Sequence, residues 1–182
     1  MPNLHYNILA IALGALTVAP SPAAMLVFEP AATQLAAGAS TNIHINVIDA
    51  VDLYAFQFGV TFDPLILSID SVTAGGFLAG GLVFPGAIDP VSGAVQLTFG
   101  TLLGAPPGVS GTGTLAILRV TGRQLGHTTV TLTDILLLDS SAQEIPVSFD
   151  PVAITVVPEP GTALLLALAL AGVARGRSIR AT

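Results

Sequence analysis

The chain of 182 residues contains no cysteine and no tryptophan, and its five basic residues are all arginine, so it contains no lysine either. Absence of cysteine excludes a disulfide framework, a thiolate nucleophile and a Cys-based zinc site. Absence of lysine excludes a phosphate-binding P-loop, however glycine-rich the stretch Gly104–Gly113 (GAPPGVSGTG) is. Charge is also scarce, at 9% of residues against 52% hydrophobic, with a mean hydropathy of +0.83. Such values could belong to a membrane protein, so the distribution decides. The long apolar runs sit at the two ends, while the middle alternates apolar residues with Thr, Ser, Gln and Asn and reads as soluble. Between Met25 and Val157 ten acidic residues face only Arg119 and Arg123, a formal charge of about −8 (2 − 10). That surface repels phosphate backbones, so nucleic acid is not an expected partner.

Ile8–Ala19 (ILAIALGALTVA) has the length of a signal-peptide core and is short for a bilayer span. Small residues follow in Ser21-Pro22-Ala23-Ala24, suited to cleavage after Ala23 or Ala24, and residues 1–24 are read as a signal peptide. Pro20 and Pro22 separate this segment from what comes next. At the other end, Pro158-Glu159-Pro160-Gly161 must be a linker, since two prolines remove backbone donors and stop any strand. Ala163–Ala174 (ALLLALALAGVA) follows, uncharged and rich in helix formers, and then Arg175, Arg177 and Arg180. As a helix those apolar residues reach about 18 Å, short of the ~30 Å hydrocarbon core, with the arginines held on the cytoplasmic side.

A Pro-Glu-Pro break, a short apolar span and an arginine-containing end, in that order, resemble the PEP-CTERM sorting signal of Gram-negative bacteria. The resemblance implies recognition near Pro158-Glu159-Pro160 by exosortase, a membrane-embedded cysteine peptidase. It also implies an inner-membrane-anchored precursor, later released or transferred to the cell surface or matrix, in a bacterium that makes extracellular polysaccharide. A plain C-terminal anchor is the alternative, which keeps the membrane and drops the cutting.

Residues 25–157 form the domain between the two ends. Their apolar period is 2. Ile43, Ile45 and Val47 alternate with Asn42, His44 and Asn46; Tyr54, Phe56, Phe58, Val60 and Phe62 alternate with Ala55, Gln57, Gly59 and Thr61. Val95, Leu97 and Phe99 alternate with Gln96 and Thr98, which places the two polar residues outward. Val130 and Leu132 sit among threonines, and Val152, Ile154 and Val156 precede the proline break. Further strands are expected around Leu26–Phe28, Leu67–Val72, Leu82–Phe84 and Leu115–Val120. Asp-Pro turns at Asp63-Pro64, Asp89-Pro90 and Asp150-Pro151, with Gly75-Gly76, Gly80-Gly81, Ser92-Gly93 and Gly104–Gly113, separate them. About nine short strands without an amphipathic helix give an all-β, two-layer sandwich.

Gly38–Val47, then Val51–Phe58, then Thr61-Phe62-Asp63-Pro64-Leu65 resemble the opening of cohesin-type domains, where an aromatic-rich strand ends in an aromatic-Asp-Pro turn. Gly111-Thr112-Gly113-Thr114-Leu115-Ala116 resembles that family's entry into a late strand, and Asp134–Ser141 (DILLLDSS) its last loop region. The resemblance implies a nine-stranded jelly roll related to carbohydrate-binding modules. It also implies a sheet face of the kind that binds a dockerin module.

Chemistry for catalysis is not apparent. His5 lies in the signal peptide, and His44 and His127 are far apart and without cysteine, so no transition-metal site is expected. Ser110 lacks the glycine spacing of a nucleophile elbow. Asp49 and Asp52, and Asp134, Asp139 and Glu144, are loop carboxylates whose only reading beyond solvation is a weak calcium site or, with a facing pair of acids, a glycosidase. The small, polar outward set Ala55, Gln57, Gly59 and Thr61 is the possible binding face, with no exposed aromatic expected on it. The sequence thus points to an exported, non-catalytic binding or adhesion protein with no cofactor. Its ligand is a dockerin-like module or a polysaccharide. A carbohydrate-binding module is the alternative, and a glycoside hydrolase comes third.

Overall fold

The computed structural model describes residues 23–159, Gly161, Leu165 and 168–170. Eleven strands follow one another: β1 Ala24–Glu29, β2 Ala32–Ala36, β3 Ser40–Thr61, β4 Leu67–Ala74, β5 Leu82–Phe84, β6 Ile88–Asp89, β7 Ala94–Thr101, β8 Val109–Gly122, β9 Gly126–Asp139, β10 Val147–Phe149 and β11 Val152–Val157. They form the all-β, two-layer sandwich expected from the sequence. One layer runs β4-β8-β3-β1-β10 and the other β5/β6-β7-β3-β9-β11-β2. Hydrogen bonding is continuous because β3 serves both layers: its first half pairs with β1 and β8, its second with β7 and β9.

The crossing is built at Ile48–Leu53. Register against β8 slips twice there, and Asp49 and Asp52 adopt φ of 52° and 57°. Aspartate tolerates this left-handed conformation better than most residues. Prolines make the other transfers. Pro30 separates β1 from β2, and Pro151 precedes β11, so each of these strand pairs leaves one layer for the other where a backbone donor is missing. Counting β1/β2, β5/β6 and β10/β11 as interrupted strands and β3 as two gives the nine positions expected from sequence.

The core lies between the layers. Leu26, Ile43, Ile45, Val47, Leu118 and Val120 of the first layer meet Phe58, Val60, Val95, Leu132 and Leu137 of the second, all essentially inaccessible to water. Phe56 and Phe58 stack with ring centroids 5.6 Å apart. Fully burying side chains of this kind is worth about 1.5–3 kcal/mol each.

Several local expectations change. Asp134–Asp139 is not a loop but the end of β9, and β8 begins at Val109, inside the glycine-rich stretch read as a loop. β2, β6 and β10 were not anticipated, being short and lacking a clear alternation.

Candidate functional site

In antiparallel pairs, directly opposed residues share a face. On the outer side of the second layer this gives two rows: Phe84–Phe99–Gln57–Leu136 and Leu82–Thr101–Ala55–Leu138. Between them is a shallow groove of about 160 Å³ on β7, β3 and β9, lined by Ala55, Gln57, Phe99, Thr101, Leu136 and Leu138 together with Phe56 and Gly100. Phe84 and Phe99 are 46% and 40% exposed and stack on each other at 4.8 Å. Leu82 is equally open to solvent. Gln57 is the polar group at the centre, its Nε2 donating only a long 3.4 Å bond to the Asp134 carbonyl.

The exposed ring corrects the sequence reading of β7. Thr98 is fully buried and Leu97 and Phe99 are exposed, the reverse of the expected alternation beyond Val95. The cause is a bulge. Phe58 pairs with Thr98 and Val60 with Val95, so β7 spends one more residue than β3 over this interval. One extra residue moves every following side chain to the opposite face. A second bulge lies directly across β3, where Gln57 pairs with Leu136 but Gly59 with Thr133, and Asp134 takes φ 50°. Gly59 sits between the two bulges and is buried; a Cβ there would lie 2.5 Å from Thr133 Oγ1. Gly59 therefore presents no surface. It lets both neighbours close in.

Of the other residues singled out from sequence, Ala55 and Gln57 belong to the apolar rows, while Thr61 lies at the far end of the face opposite Ala94 and Thr131. Leu82, Phe84, Phe99, Leu136 and Leu138 were missed. Leu82–Phe84 was recognisable as a strand, but nothing in a single sequence reports the bulge that turns Phe99 outward.

The remaining polar groups are used locally. Asp52 Oδ2 accepts from Ser140 Oγ at 2.6 Å, and Oδ1 accepts from the Gly108 N–H, tying the β3 crossing to the loops before β8 and after β9. The Ser140 hydroxyl, and then the Gly108 N–H, hold the Asp52 carboxyl below its ordinary pKa. A depressed pKa contributes stability that is present above the unfolded value, about 4, and is lost as pH falls through the folded value. Asp52→Asn should flatten this acid limb, read as a smaller loss of melting temperature between pH 5 and pH 3 than in the unmodified protein.

Asp139 Oδ1 accepts from the backbone of Ser141 and Gln143, closing the turn after β9. His127 Nδ1 is paired with Thr155 Oγ1 at 2.9 Å, and His44 lies on the outer side of the first layer opposite Glu29 and Ile117. Among the described residues, no three of His, Asp or Glu converge to hold a metal ion. The groove itself carries no carboxylate, imidazole or serine. The outer side of the first layer is polar, with Ser40, Thr121, Asp70 and Ser68 joined in one hydrogen-bonded chain.

Beyond β11, Pro158 and Glu159 are exposed. Pro160, Arg175, Arg177 and Arg180, and residues 1–22 of the segment read from sequence as a signal peptide, lie outside the described residues. Among the described residues no helix is long and apolar enough to cross a membrane.

Residues 156–178 match the PEP-CTERM protein-sorting motif. The chain carries an exosortase sorting signal. No curated protein matches the sequence. Among solved structures the sandwich is similar to a non-cellulosomal cohesin from the archaeon Archaeoglobus fulgidus, with a TM-score of 0.63 and 13% identity over 78% of this chain and 96% of that one. It is similar to a chain of a type I cohesin–dockerin complex from Clostridium thermocellum, with a TM-score of 0.60 and 12% identity over 74% and 95%. A type II cohesin domain from the cellulosome of Acetivibrio cellulolyticus matches at 0.57 and 18% over 74% and 95%. At these identities the likeness concerns the fold.

Proposed function

We propose that this protein is an exported, non-catalytic binding module of the cell surface or extracellular matrix. Its ligand docks on the apolar rows of β5, β7, β3 and β9, and exosortase removes its tail. The observation that carries the reading is the Phe84–Phe99 pair, exposed beside Leu82, Leu136 and Leu138 around a single central amide. Aromatic side chains on an exposed apolar face are the anchors that protein interfaces use, with a central polar group fixing register. A protein partner of dockerin type fits such a face, and the cohesin–dockerin complexes among the structural relatives support it. Polysaccharide is the second reading, favoured by the same exposed rings, which can stack on a sugar. Isothermal titration of the domain with dockerin-type modules and with extracellular polysaccharide separates the two. Turnover of a glycan with no binding of either would overturn both.

Processing at the ends has its own constraint. Ala24 is fully buried in β1, and its N–H donates to the Pro146 carbonyl at 2.9 Å. Cleavage after Ala23 keeps that residue, whereas cleavage after Ala24 deletes it. Intact mass of the native secreted protein should correspond to a chain that begins at Ala24 and lacks Arg175–Thr182. Retention of the arginine tail in all mature material would rule out exosortase cutting.

A further inference from the structure

The chain leaves the sandwich at a definite pole. Val156 pairs with Gly126, the Val157 carbonyl accepts from Ala37 N–H, and the Gly122 carbonyl accepts from Gly38 N–H. Two more loops meet at this end. Arg123 Nη1 donates to the Pro64 carbonyl at 2.8 Å and Arg123 N–H to the Ile66 carbonyl, while Phe62 N–H donates to the Gly93 carbonyl of the β6–β7 turn. The three loop tips carry Leu65, Val91 and Leu125, which are 66%, 86% and 57% exposed. None of these residues packs on the core, and each is a large apolar side chain held in water at the end from which the sorting tail departs.

Charge is distributed along the same axis. Arg119 and Arg123, the only two cations between Met25 and Val157, lie at or next to this pole, on β8 and in the loop after it. The two acids of the loop tips stay charged and cap their own turns: Asp63 Oδ1 accepts from Leu65 N–H, and Asp89 accepts from Val91 N–H, Ser92 N–H and Ser92 Oγ. Asp70 of the outer face nearby is bound to Ser68 and Thr121. The opposite pole also exposes Val51 and Leu103, but there they sit among Asp49, Asp52, Asp139 and Glu144 with no cation. Among the described residues, exposed apolar loop tips and arginines come together only at the tail-side pole, where Asp63, Asp70 and Asp89 accompany them, so it is the apolar tips that an interface would take up.

Pro158–Thr162 spans five residues, at most about 18 Å when extended, before the apolar segment Ala163–Ala174 begins. We infer that, while the tail is uncut, the sandwich stands with Leu65, Val91 and Leu125 seated in the headgroup layer of the membrane that holds its tail. This rests on the reading of Ala163–Ala174 as membrane-inserted. The seat fixes the orientation of the precursor. It points Ala24 and the Leu82–Thr101–Ala55–Leu138 row away from the bilayer, since Tyr54 and Leu102, adjoining that row, are joined at the opposite end.

The absence of cysteine makes the test clean. The full chain, carrying Leu65→Cys, Val91→Cys or Leu125→Cys, is labelled with an environment-sensitive fluorophore. It is then reconstituted in phosphatidylethanolamine–phosphatidylglycerol vesicles and checked by flotation. Leu103→Cys and Ser141→Cys at the opposite pole serve as references. Spin-labelled lipid is expected to quench the three pole positions about twofold or more, with a blue-shifted emission, and to leave both references unchanged. Floating protein whose pole positions are no more quenched than the references overturns the seat while leaving the membrane tail standing. Protein that does not float overturns the tail reading, and the seat with it.

Discussion

Replacing Phe84 and Phe99 together by alanine is expected to weaken ligand binding by at least about 30-fold, or about 2 kcal/mol, with the fold intact. Each ring keeps 40–46% of its surface open in the free domain. At roughly 25 cal/mol per Å², covering that area in a complex is worth about 2 kcal/mol per ring, so the expected loss leaves room for partial burial and ordering costs. The pair is stacked, which is worth about 0.5–1.5 kcal/mol to the free protein, so the melting temperature should fall by only about 2–6 °C. Calorimetric titration and thermal melts of the double variant give both values. A binding constant equal to that of the unmodified domain would remove these rings from the site.

The second large effect falls on stability. Gly86 lies in the loop between β5 and β6, where its N–H donates to the buried Thr98 hydroxyl at 3.1 Å and the next carbonyl, that of Ala87, accepts from Gln96 N–H at 2.8 Å. The loop is thereby pressed onto the β7 bulge, and a Cβ at Gly86 would overlap the Gln96 carbonyl. Because the obstacle is backbone, no rotamer change relieves it. Gly86→Ala must lift the loop, give up both hydrogen bonds and leave the fully buried Thr98 hydroxyl without its donor. A cost of about 3 kcal/mol is expected, or a melting temperature lower by about 10 °C. Because the same bulge turns Phe99 outward, this variant should also bind more weakly than its stability alone explains. A melt within 2 °C of the unmodified protein would show that the loop is not pressed onto the bulge.

These two predictions depend on features of very different visibility in the sequence. The strand from Tyr54 to Phe62 was legible because its apolar residues alternate cleanly and end in Asp63-Pro64, a turn signal with a mechanism. The layer arrangement followed from period and turn spacing. In β7 the same rule misled. Val95, Leu97 and Phe99 alternate as faithfully as any strand here, yet the extra residue at Gln96–Leu97 inverts everything after it. A bulge is a property of two strands in register, and a single strand's sequence does not contain its partner. Gly59 carried a hint, since glycine inside a strand pattern marks a bulge or a close backbone approach. Alternation alone places it on the outward face. Asp52 looked like one of several loop carboxylates; its role as a clasp between β3, Gly108 and Ser140 depends on contacts more than fifty residues apart in the chain.

Covalent side-chain footprinting of the domain, free and bound to its extracellular ligand, tests the central claim most directly. The binding face described above predicts that Leu82, Phe84, Phe99, Leu136 and Leu138 lose labelling on binding, while Ser40, Ser68 and Thr121 on the opposite layer keep theirs. Protection confined to the Ser40–Thr121–Asp70–Ser68 side, with Phe84 and Phe99 labelled as in the free domain, would contradict it.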